Sequence, residues 1–105
     1  MTLLNDQVCI VTGAGQGLGR AIALEMAKEG ATVALLERNA GTLEKTAKEI
    51  AGSGGRAIPY QLDITDYDVY GKVVADLVAK HKKIDVLVNN AAINPPSLTI
   101  LNDTL

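Results

Sequence analysis

Short apolar runs alternate with longer amphipathic segments along most of this 105-residue chain. Each apolar run is short enough to be a buried strand, and each amphipathic segment is long enough to be a helix that connects two parallel strands. The predicted strands cover residues 7–12, 31–37, 57–62 and 84–89, and the predicted helices lie between them. This βαβαβαβ order predicts an α/β fold in which a parallel sheet carries helices and the connections are right-handed.

Particular residues predict the boundaries and the apolar faces of the helices. The first helix is expected to run from Gly17 to Gly30, the second to follow an Asn39 cap, and the third to follow a cap at Thr65 or Asp66. The apolar residues at helical spacing are Leu18, Ile22 and Met26, then Leu43, Ala47 and Ile50, then Val69, Val73 and Leu77. Pro59 has no N–H, which predicts that the third strand lies at a sheet edge or that this position needs no N–H for pairing.

Composition and charge argue against several other classes of protein. The net charge of −2 argues against a protein that coats nucleic acid or an anionic membrane, and no apolar run exceeds four residues, so no membrane span is predicted. The N-terminus does not resemble a secretory signal, and a single cysteine rules out an internal disulfide. We therefore expect one cytoplasmic domain without a boundary inside residues 1–105, whose tail from Ser97 begins a further element.

A glycine-rich loop lies between the first predicted strand and the first helix. It reads Thr12-Gly-Ala-Gly-Gln-Gly-Leu-Gly19. Leu18 and Arg20 stand where G-x-G-x-x-G requires glycine, and the lysine of the phosphate loop is missing. The glycines allow a sharp turn and a close approach of the backbone to a pyrophosphate, and the helix N-terminus attracts phosphate charge. The alternative is a tight strand-to-helix turn without a ligand.

The spacing Gly13-x-x-x-Gly17-x-Gly19 resembles the loop T-G-x-x-x-G-x-G of the short-chain dehydrogenase/reductase family, in its classical branch. The resemblance extends over roughly residues 5–97. It implies the N-terminal half of a Rossmann-type fold, with helices on both faces of a parallel sheet and strand order 3-2-1-4. It also implies a dinucleotide cofactor. The loop residues that the resemblance assigns to cofactor binding are Gly13, Gln16, Gly17, Leu18 and Gly19.

Glu37 ends the second predicted strand, 24 residues after Gly13, near the spacing of a ribose-binding acid. A carboxylate there can accept hydrogen bonds from both adenosine ribose hydroxyls, and it repels a 2′-phosphate. The resemblance therefore implies NAD rather than NADP, and Gln16 agrees because NADP-preferring relatives often have a basic residue there. Arg38 favours the other cofactor, since an arginine can hold a 2′-phosphate. The alternative for Glu37 is a solvated charge at a strand end.

Two further segments resemble family motifs at strand ends. Asp63 and Ile64 follow the third strand, where the family uses the Asp side chain and the next backbone N–H against the adenine ring. Asp63 can equally belong to the cap of the coming helix. Asn89-Asn90-Ala91-Ala92 resembles the family's N-N-A-G, which implies that Asn90 braces the sheet and that the Ala91 backbone passes over the ribose. Ala92 departs from the family pattern by adding a methyl group near the cofactor.

The catalytic residues of the family have no counterpart in this chain. The family uses a Tyr with a Lys four residues later, together with a Ser and an Asn, whereas Tyr60, Tyr67 and Tyr70 are followed at that spacing by Ile, Gly and Val. These tyrosines are expected to be packing or surface residues, Cys9 a buried inert thiol, and His81 a solvated residue. We predict no catalytic residue and no metal site.

The sequence is thus interpreted as the N-terminal, cofactor-binding part of an NAD-dependent enzyme that transfers hydride between nicotinamide and an alcohol or ketone. The chain alone is expected to be inactive, and to form a homo-oligomer through the edge of strand four or through apolar helix faces. Two alternatives stay open. One is a non-catalytic Rossmann fragment that folds and self-associates. The other is a flavodoxin-like or receiver-like signalling domain, although Val11, Thr12 and Gly13 stand where that domain needs acids.

Overall fold

Strands and helices alternate along the part of the chain that the computed structural model describes, residues 4–90. The elements are β1 (Val8–Thr12), α1 (Gly17–Lys28), β2 (Thr32–Glu37), α2 (Ala40–Gly52), β3 (Arg56–Gln61), α3 (Tyr67–His81) and β4 (Val86–Val88). Each corresponds to a predicted element, with boundaries shifted by a few residues. The predicted tail from Ser97 lies outside the described residues.

The four strands form one parallel sheet in the order β3-β2-β1-β4. Ile10 in β1 pairs with Ala34 of β2 on one side and with Leu87 of β4 on the other. All five residues of β1 are buried, as expected for a strand that is covered on both faces. The predicted α/β fold, parallel pairing and strand order are confirmed.

Successive side chains of a strand point to opposite faces, and the sheet accordingly has a core on each face. One core combines alternate β1 and β2 residues such as Cys9 and Val33 with side chains of α1 and α2. The other combines Ile10 and Leu36 with side chains of α3. The predicted placement of helices on both faces is therefore confirmed.

The start of each of the last two helices is capped by a side chain. The Asn39 side chain accepts a hydrogen bond from the Thr42 N–H at 3.0 Å, as predicted for α2. For α3 the cap is Asp66, whose carboxylate accepts from the Val69 N–H at 3.3 Å. Of the two predicted candidates, Thr65 is therefore not the cap, because it instead bonds to Asp63 within the preceding turn.

The buried face of α1 differs from the predicted one. Gly19, Ala23 and Ala27 are buried, whereas Leu18 is 67% exposed. Ile22 and Met26 are only partly buried at the margin of the core. The small side chains let the helix axis lie close to the sheet, so they take the central position that larger apolar residues were expected to occupy. In α3, Val73 and Leu77 are buried as predicted, but Val69 is 37% exposed.

The two outer strands of the described sheet are β3 and β4. Pro59 lies in β3, which pairs only with β2 among residues 4–90, so the predicted edge position is confirmed. At the other side, β4 is shorter than predicted, and Asp85 before it bonds to Val8 through both its backbone N–H and its carboxylate, each at 2.8 Å. None of the helices within residues 4–90 is long and apolar enough to cross a membrane.

Candidate functional site

A groove of about 540 Å³ opens at the carboxyl ends of the strands. This size is typical of small-molecule sites, and this edge is where open α/β sheets bind ligands. The residues that line the groove are Gly13, Gln16, Leu36, Glu37, Arg38, Leu62, Asp63, Ile64, Thr65 and Asn90. Seven of the predicted site residues are thus brought together from four separate segments. Gly17, Leu18 and Gly19 follow in the first turn of α1 and do not line it.

Gly13 turns the chain sharply as it leaves β1. Its φ of 62° lies in the left-handed region, where residues with a Cβ are strained. Its N–H donates to the Leu36 carbonyl at 2.8 Å, which ties the loop to the end of β2. The turn therefore opens the space above the strand ends that becomes the groove.

Gly19 permits close contact between α1 and the strand ends. A Cβ at this position would lie 2.6 Å from the Asn90 Nδ2 atom and would also overlap the Gly13 carbonyl. A side chain would push the helix away from both groups. This glycine is required by space, whereas Gly13 is required by backbone conformation.

The start of α1 differs from those of the other helices within residues 4–90. Gln16 stands at the N-cap position but makes no side-chain capping hydrogen bond, and the first turn, like that of α2, contains no acidic residue. By contrast, α2 and α3 are capped by Asn39 and Asp66. The first N–H groups of a helix need acceptors and carry partial positive charge, so this end of α1 suits an anion such as a pyrophosphate.

The carboxylate of Glu37 is held in place by two backbone groups. One oxygen accepts from the Gly15 N–H and the other from the Asn39 N–H, each at 2.9 Å. A carboxylate offers about four acceptor sites, so roughly two stay available for a ligand. Glu37 is partly exposed at the groove, and its charge is therefore oriented and accessible.

Asp63 and Arg38 face one another at the rim of the groove. The Arg38 guanidinium lies 3.7 Å from an Asp63 carboxylate oxygen and is 80% exposed. The other Asp63 oxygen accepts from both the hydroxyl and the N–H of Thr65, at 2.6 and 2.9 Å. These hydrogen bonds, followed by the nearby Arg38 charge, lower the pKa of Asp63 and keep it ionised. Ile64 beside it is buried and contributes apolar lining.

Thr12 connects the ends of β1 and β4. Its buried hydroxyl oxygen accepts the Asn90 N–H at 2.9 Å and lies 3.2 Å from the Asn89 side-chain oxygen. Sequence reasoning named Asn90 but not Thr12 or Asn89 as positions that matter here. The signal was present, because Thr12 is the first letter of the loop motif and Asn89 precedes Asn90.

Gly15 and two threonines of α2 were also missed. The N–H of Gly15 binds Glu37, and its carbonyl lies 3.5 Å from the buried Thr46 hydroxyl. The extra glycine of the loop was the available signal for Gly15. No pattern within α2 indicates that Thr42 and Thr46 lie against a loop about 30 residues earlier.

The remaining predicted residues lie away from the groove or outside the described part. Ala91 and Ala92 lie outside the described residues. Cys9 is fully buried, and this burial, with the Asp85 charge as a smaller cause, raises the pKa of its thiol to about 11. The Tyr60 hydroxyl donates to Asp76 at 2.7 Å. Within residues 4–90 no group of three His, Cys, Asp or Glu side chains could hold a metal ion.

Comparisons with known proteins agree with this geometry. A 3-oxoacyl-acyl-carrier-protein reductase of Thermotoga maritima is 42% identical over 97 residues, which cover 92% of this chain and 39% of that protein. An L-rhamnose 1-dehydrogenase of Azotobacter vinelandii is 47% identical over 98 residues, covering 89% of this chain and 38% of that protein. The chain thus spans well under half the length of these curated relatives.

Solved structures show the same similarity. A citronellol catabolism dehydrogenase of Pseudomonas aeruginosa has a TM-score of 0.82 at 43% identity, covering 86% of this chain and 38% of that one. A metagenomic short-chain oxidoreductase in complex with NADP has a TM-score of 0.82 at 38% identity, covering 86% and 41%. An NAD+-bound xylitol dehydrogenase has a TM-score of 0.80 at 40% identity, covering 85% and 34%.

The sequence comparison covers the loop, the second strand and both later strand ends in one match. A family model for the short chain dehydrogenases matches residues 7–104. That range includes every predicted site residue and decides against a flavodoxin-like or receiver-like signalling domain. With its parallel sheet in the order β3-β2-β1-β4 and its groove at the strand ends, the chain belongs to the short-chain dehydrogenase family, whose members are oxidoreductases that use nicotinamide dinucleotides.

Proposed function

We propose that this chain holds the adenosine and pyrophosphate part of a nicotinamide dinucleotide for an enzyme that transfers hydride to or from an alcohol or ketone. The observation that carries the proposal is the groove at the strand ends, which lies between the uncapped start of α1 and the anchored carboxylate of Glu37. The helix N-terminus supplies partial positive charge for the pyrophosphate, and Gly17 leaves open space for its approach. Leu18 and Gly19 continue that turn.

The preferred cofactor is NAD. Glu37 has acceptor capacity left for ribose hydroxyls, and its negative charge would lie beside the 2′-phosphate of NADP. Arg38 is the residue that opposes this preference, but its guanidinium is highly exposed and faces the Asp63 carboxylate. Solvent weakens an exposed charge pair, whereas Glu37 is held by two backbone donors. We therefore weight Glu37 above Arg38.

Other residues have proposed roles around the adenosine. Asp63 and the Ile64 backbone would lie against the adenine ring, and Gln16 would lie near the phosphates. Asn90 would brace the sheet below the ribose, supported by its bond to Thr12. The roles of Ala91 and Ala92 stay predictions for residues outside the described part.

The 105-residue chain is proposed to be one cofactor-binding unit without catalytic residues of its own. Its tyrosines lack a lysine four residues later, so the proton transfer that accompanies hydride transfer has no donor here. The substrate of the whole enzyme is left as the class of alcohols and ketones.

A calorimetric titration of the 105-residue chain with NAD, and separately with NADP, tests the proposal, with circular dichroism to verify folding. We expect saturable NAD binding and weaker NADP binding. Glu37→Ala should reduce the ratio of NAD affinity to NADP affinity about tenfold, which is the factor expected when one hydrogen bond to a charged group is lost. Glu44→Gln is the matched control, because Glu44 is an exposed acid that pairs with Lys48 on α2, away from the groove. A folded chain that binds neither nucleotide contradicts the proposal.

One observation favours the alternative of a self-associating module. Among residues 4–90, β4 pairs on one side only, with β1, and Leu87 in it is 37% exposed. Such an edge can pair with another chain. Light scattering on the calorimetry sample distinguishes the cofactor-binding function from this alternative. A self-associating module would form a defined oligomer and would not bind nucleotide.

A further inference from the structure

Gly15 is held on both of its backbone polar groups, although it is not one of the glycines of the family spacing. Its N–H donates to a Glu37 carboxylate oxygen at 2.9 Å, across 22 residues of sequence. Its carbonyl lies 3.5 Å from the buried hydroxyl of Thr46 in α2. The loop is thereby connected to the end of β2 and to α2 at a single residue.

The absence of a side chain at Gly15 is what makes room for the acid. A Cβ here would lie 2.7 Å from the bonded Glu37 oxygen and 2.8 Å from its carboxyl carbon, and it would also overlap the Thr42 side chain. Real Cβ atoms do not approach so closely. Gly15 is not among the glycines with positive φ, so its backbone conformation suits any residue. The atoms that a Cβ would meet are the ends of the Glu37 and Thr42 side chains, so an alanine here would be accommodated by moving these side chains, and the carboxylate would lose its place.

We propose that Gly15 is a specificity-determining position that acts through Glu37, by giving the carboxylate its place and its orientation. The inference rests on the proposed function, in which Glu37 distinguishes a ribose 2′-hydroxyl from a 2′-phosphate. Gly15 is a positioning residue, because its N–H bonds the acid and the acid bonds the ribose.

The second donor to Glu37 cannot replace Gly15. The Asn39 N–H is only two residues away and exposed, so it follows the local chain and does not connect the acid to the loop. With both bonds made, the two carboxylate oxygens are each engaged once and the group has one orientation. Without the Gly15 bond the side chain regains rotamer freedom, which ligand binding would have to remove.

A double-mutant cycle on the 105-residue chain tests this role. The variants are Gly15→Ala, Glu37→Ala and the pair together, each titrated with NAD and NADP. Gly71→Ala is the matched control, since a Cβ there meets nothing and the residue lies within α3. We expect Gly15→Ala to reduce the NAD-to-NADP affinity ratio about tenfold. In the Glu37→Ala background the same substitution should leave that ratio unchanged, because the residue through which Gly15 acts is absent.

The outcomes separate the two proposals. If the unmodified chain binds NAD but Gly15→Ala weakens NAD and NADP equally, Gly15 is only a structural residue of the loop and this inference is wrong. If the ratio falls by the same factor in both backgrounds, Gly15 does not act through Glu37, which also overturns it. If the folded unmodified chain binds neither nucleotide, the proposed function fails and this specificity role with it.

Amide hydrogen exchange needs no ligand, so it tests the inference even where Gly15→Ala does not fold. Amide hydrogen exchange of Gly15 is measured in the unmodified chain and in Glu37→Ala, with Glu44→Gln as control. We expect faster exchange at Gly15 in Glu37→Ala alone. Equal exchange in all three would mean that the acid does not hold the loop, and the inference would be wrong.

Discussion

The hydroxyl oxygen of Thr12 accepts the backbone N–H of Asn90 at 2.9 Å, which joins two strand ends that are 78 residues apart in sequence. Thr12 is fully buried and ends β1, while Asn90 follows β4 and lines the groove. A side chain thus continues the strand pairing beyond the last residues of the β1–β4 ladder, Val11 and Val88. The floor of the candidate site is consequently part of the folded core.

Replacing Thr12 by valine should destabilise the chain. Valine has the same shape but no acceptor, so the Asn90 N–H loses its partner, and we expect the free energy of unfolding to fall by about 1–3 kcal/mol. Urea denaturation monitored by circular dichroism measures the change. Thr32→Val is the control, because the Thr32 hydroxyl makes no hydrogen bond within residues 4–90 and should cost little. Equal losses in the two variants would show that the Thr12 bond does not stabilise the sheet.

Alanine substitution should have opposite effects at two helical glycines. In Gly19→Ala the new methyl meets the Gly13 carbonyl and Asn90, so we expect a loss of about 1–3 kcal/mol from overpacking. In Gly71→Ala the methyl enters open space on α3, and the better helix propensity should add about 0.5–1 kcal/mol. Urea midpoints of both variants check this. A Gly19→Ala chain as stable as the unmodified one would contradict the close contact of α1 with the strand ends.

Stability should fall in the alkaline range because burial raises the pKa of three groups in the fold, Cys9, Tyr60 and Tyr70. Burial, then the Asp85 charge, raises the pKa of Cys9 from 9.0 to about 11. Burial, then the bond to Asp76, raises the pKa of Tyr60 from 10.0 to about 12. Above the pKa that each group has in the unfolded state, the unfolded state binds fewer protons than the folded state. The stability contributed by these groups is therefore fully present below pH 9 and is lost as pH rises toward 12. The free energy of unfolding falls by at most about 1.4 kcal/mol per pH unit for each group.

Urea unfolding at pH 8 and at pH 10.5 tests this pH dependence. Cys9→Ala should lose less stability between the two values than the unmodified chain, because it lacks the thiol that titrates first. Each variant is compared with itself at the two pH values, so the change in the free energy of unfolding that comes from removing the thiol cancels. Identical losses of stability in the two chains would mean that Cys9 does not contribute to the loss of stability at high pH.

The fold could be predicted well from the sequence, but the helix faces could not be predicted completely. Apolar runs and caps such as Asn39 are local signals, and the structure has the elements that they imply, whereas the confirmed strand order was an expectation from the family resemblance. Leu18 shows the limit, because its spacing matches Ile22 and Met26 while its side chain is mostly exposed. Periodicity identifies an apolar face without saying how closely the helix approaches the sheet, and here Gly19 permits an approach that places small residues at the centre.

The alternation of strands and helices, the turn glycines and the acids at strand ends can be predicted locally, because each depends on residues adjacent in the chain. Which of these groups contact one another depends on how the strands are arranged in the folded chain. The bond from Gly15 to Glu37 crosses 22 residues and the bond from Asn90 to Thr12 crosses 78, and no local pattern encodes either. Such contacts arise because parallel strands bring their carboxyl ends to one edge of the sheet, where distant loops must satisfy each other's hydrogen bonds.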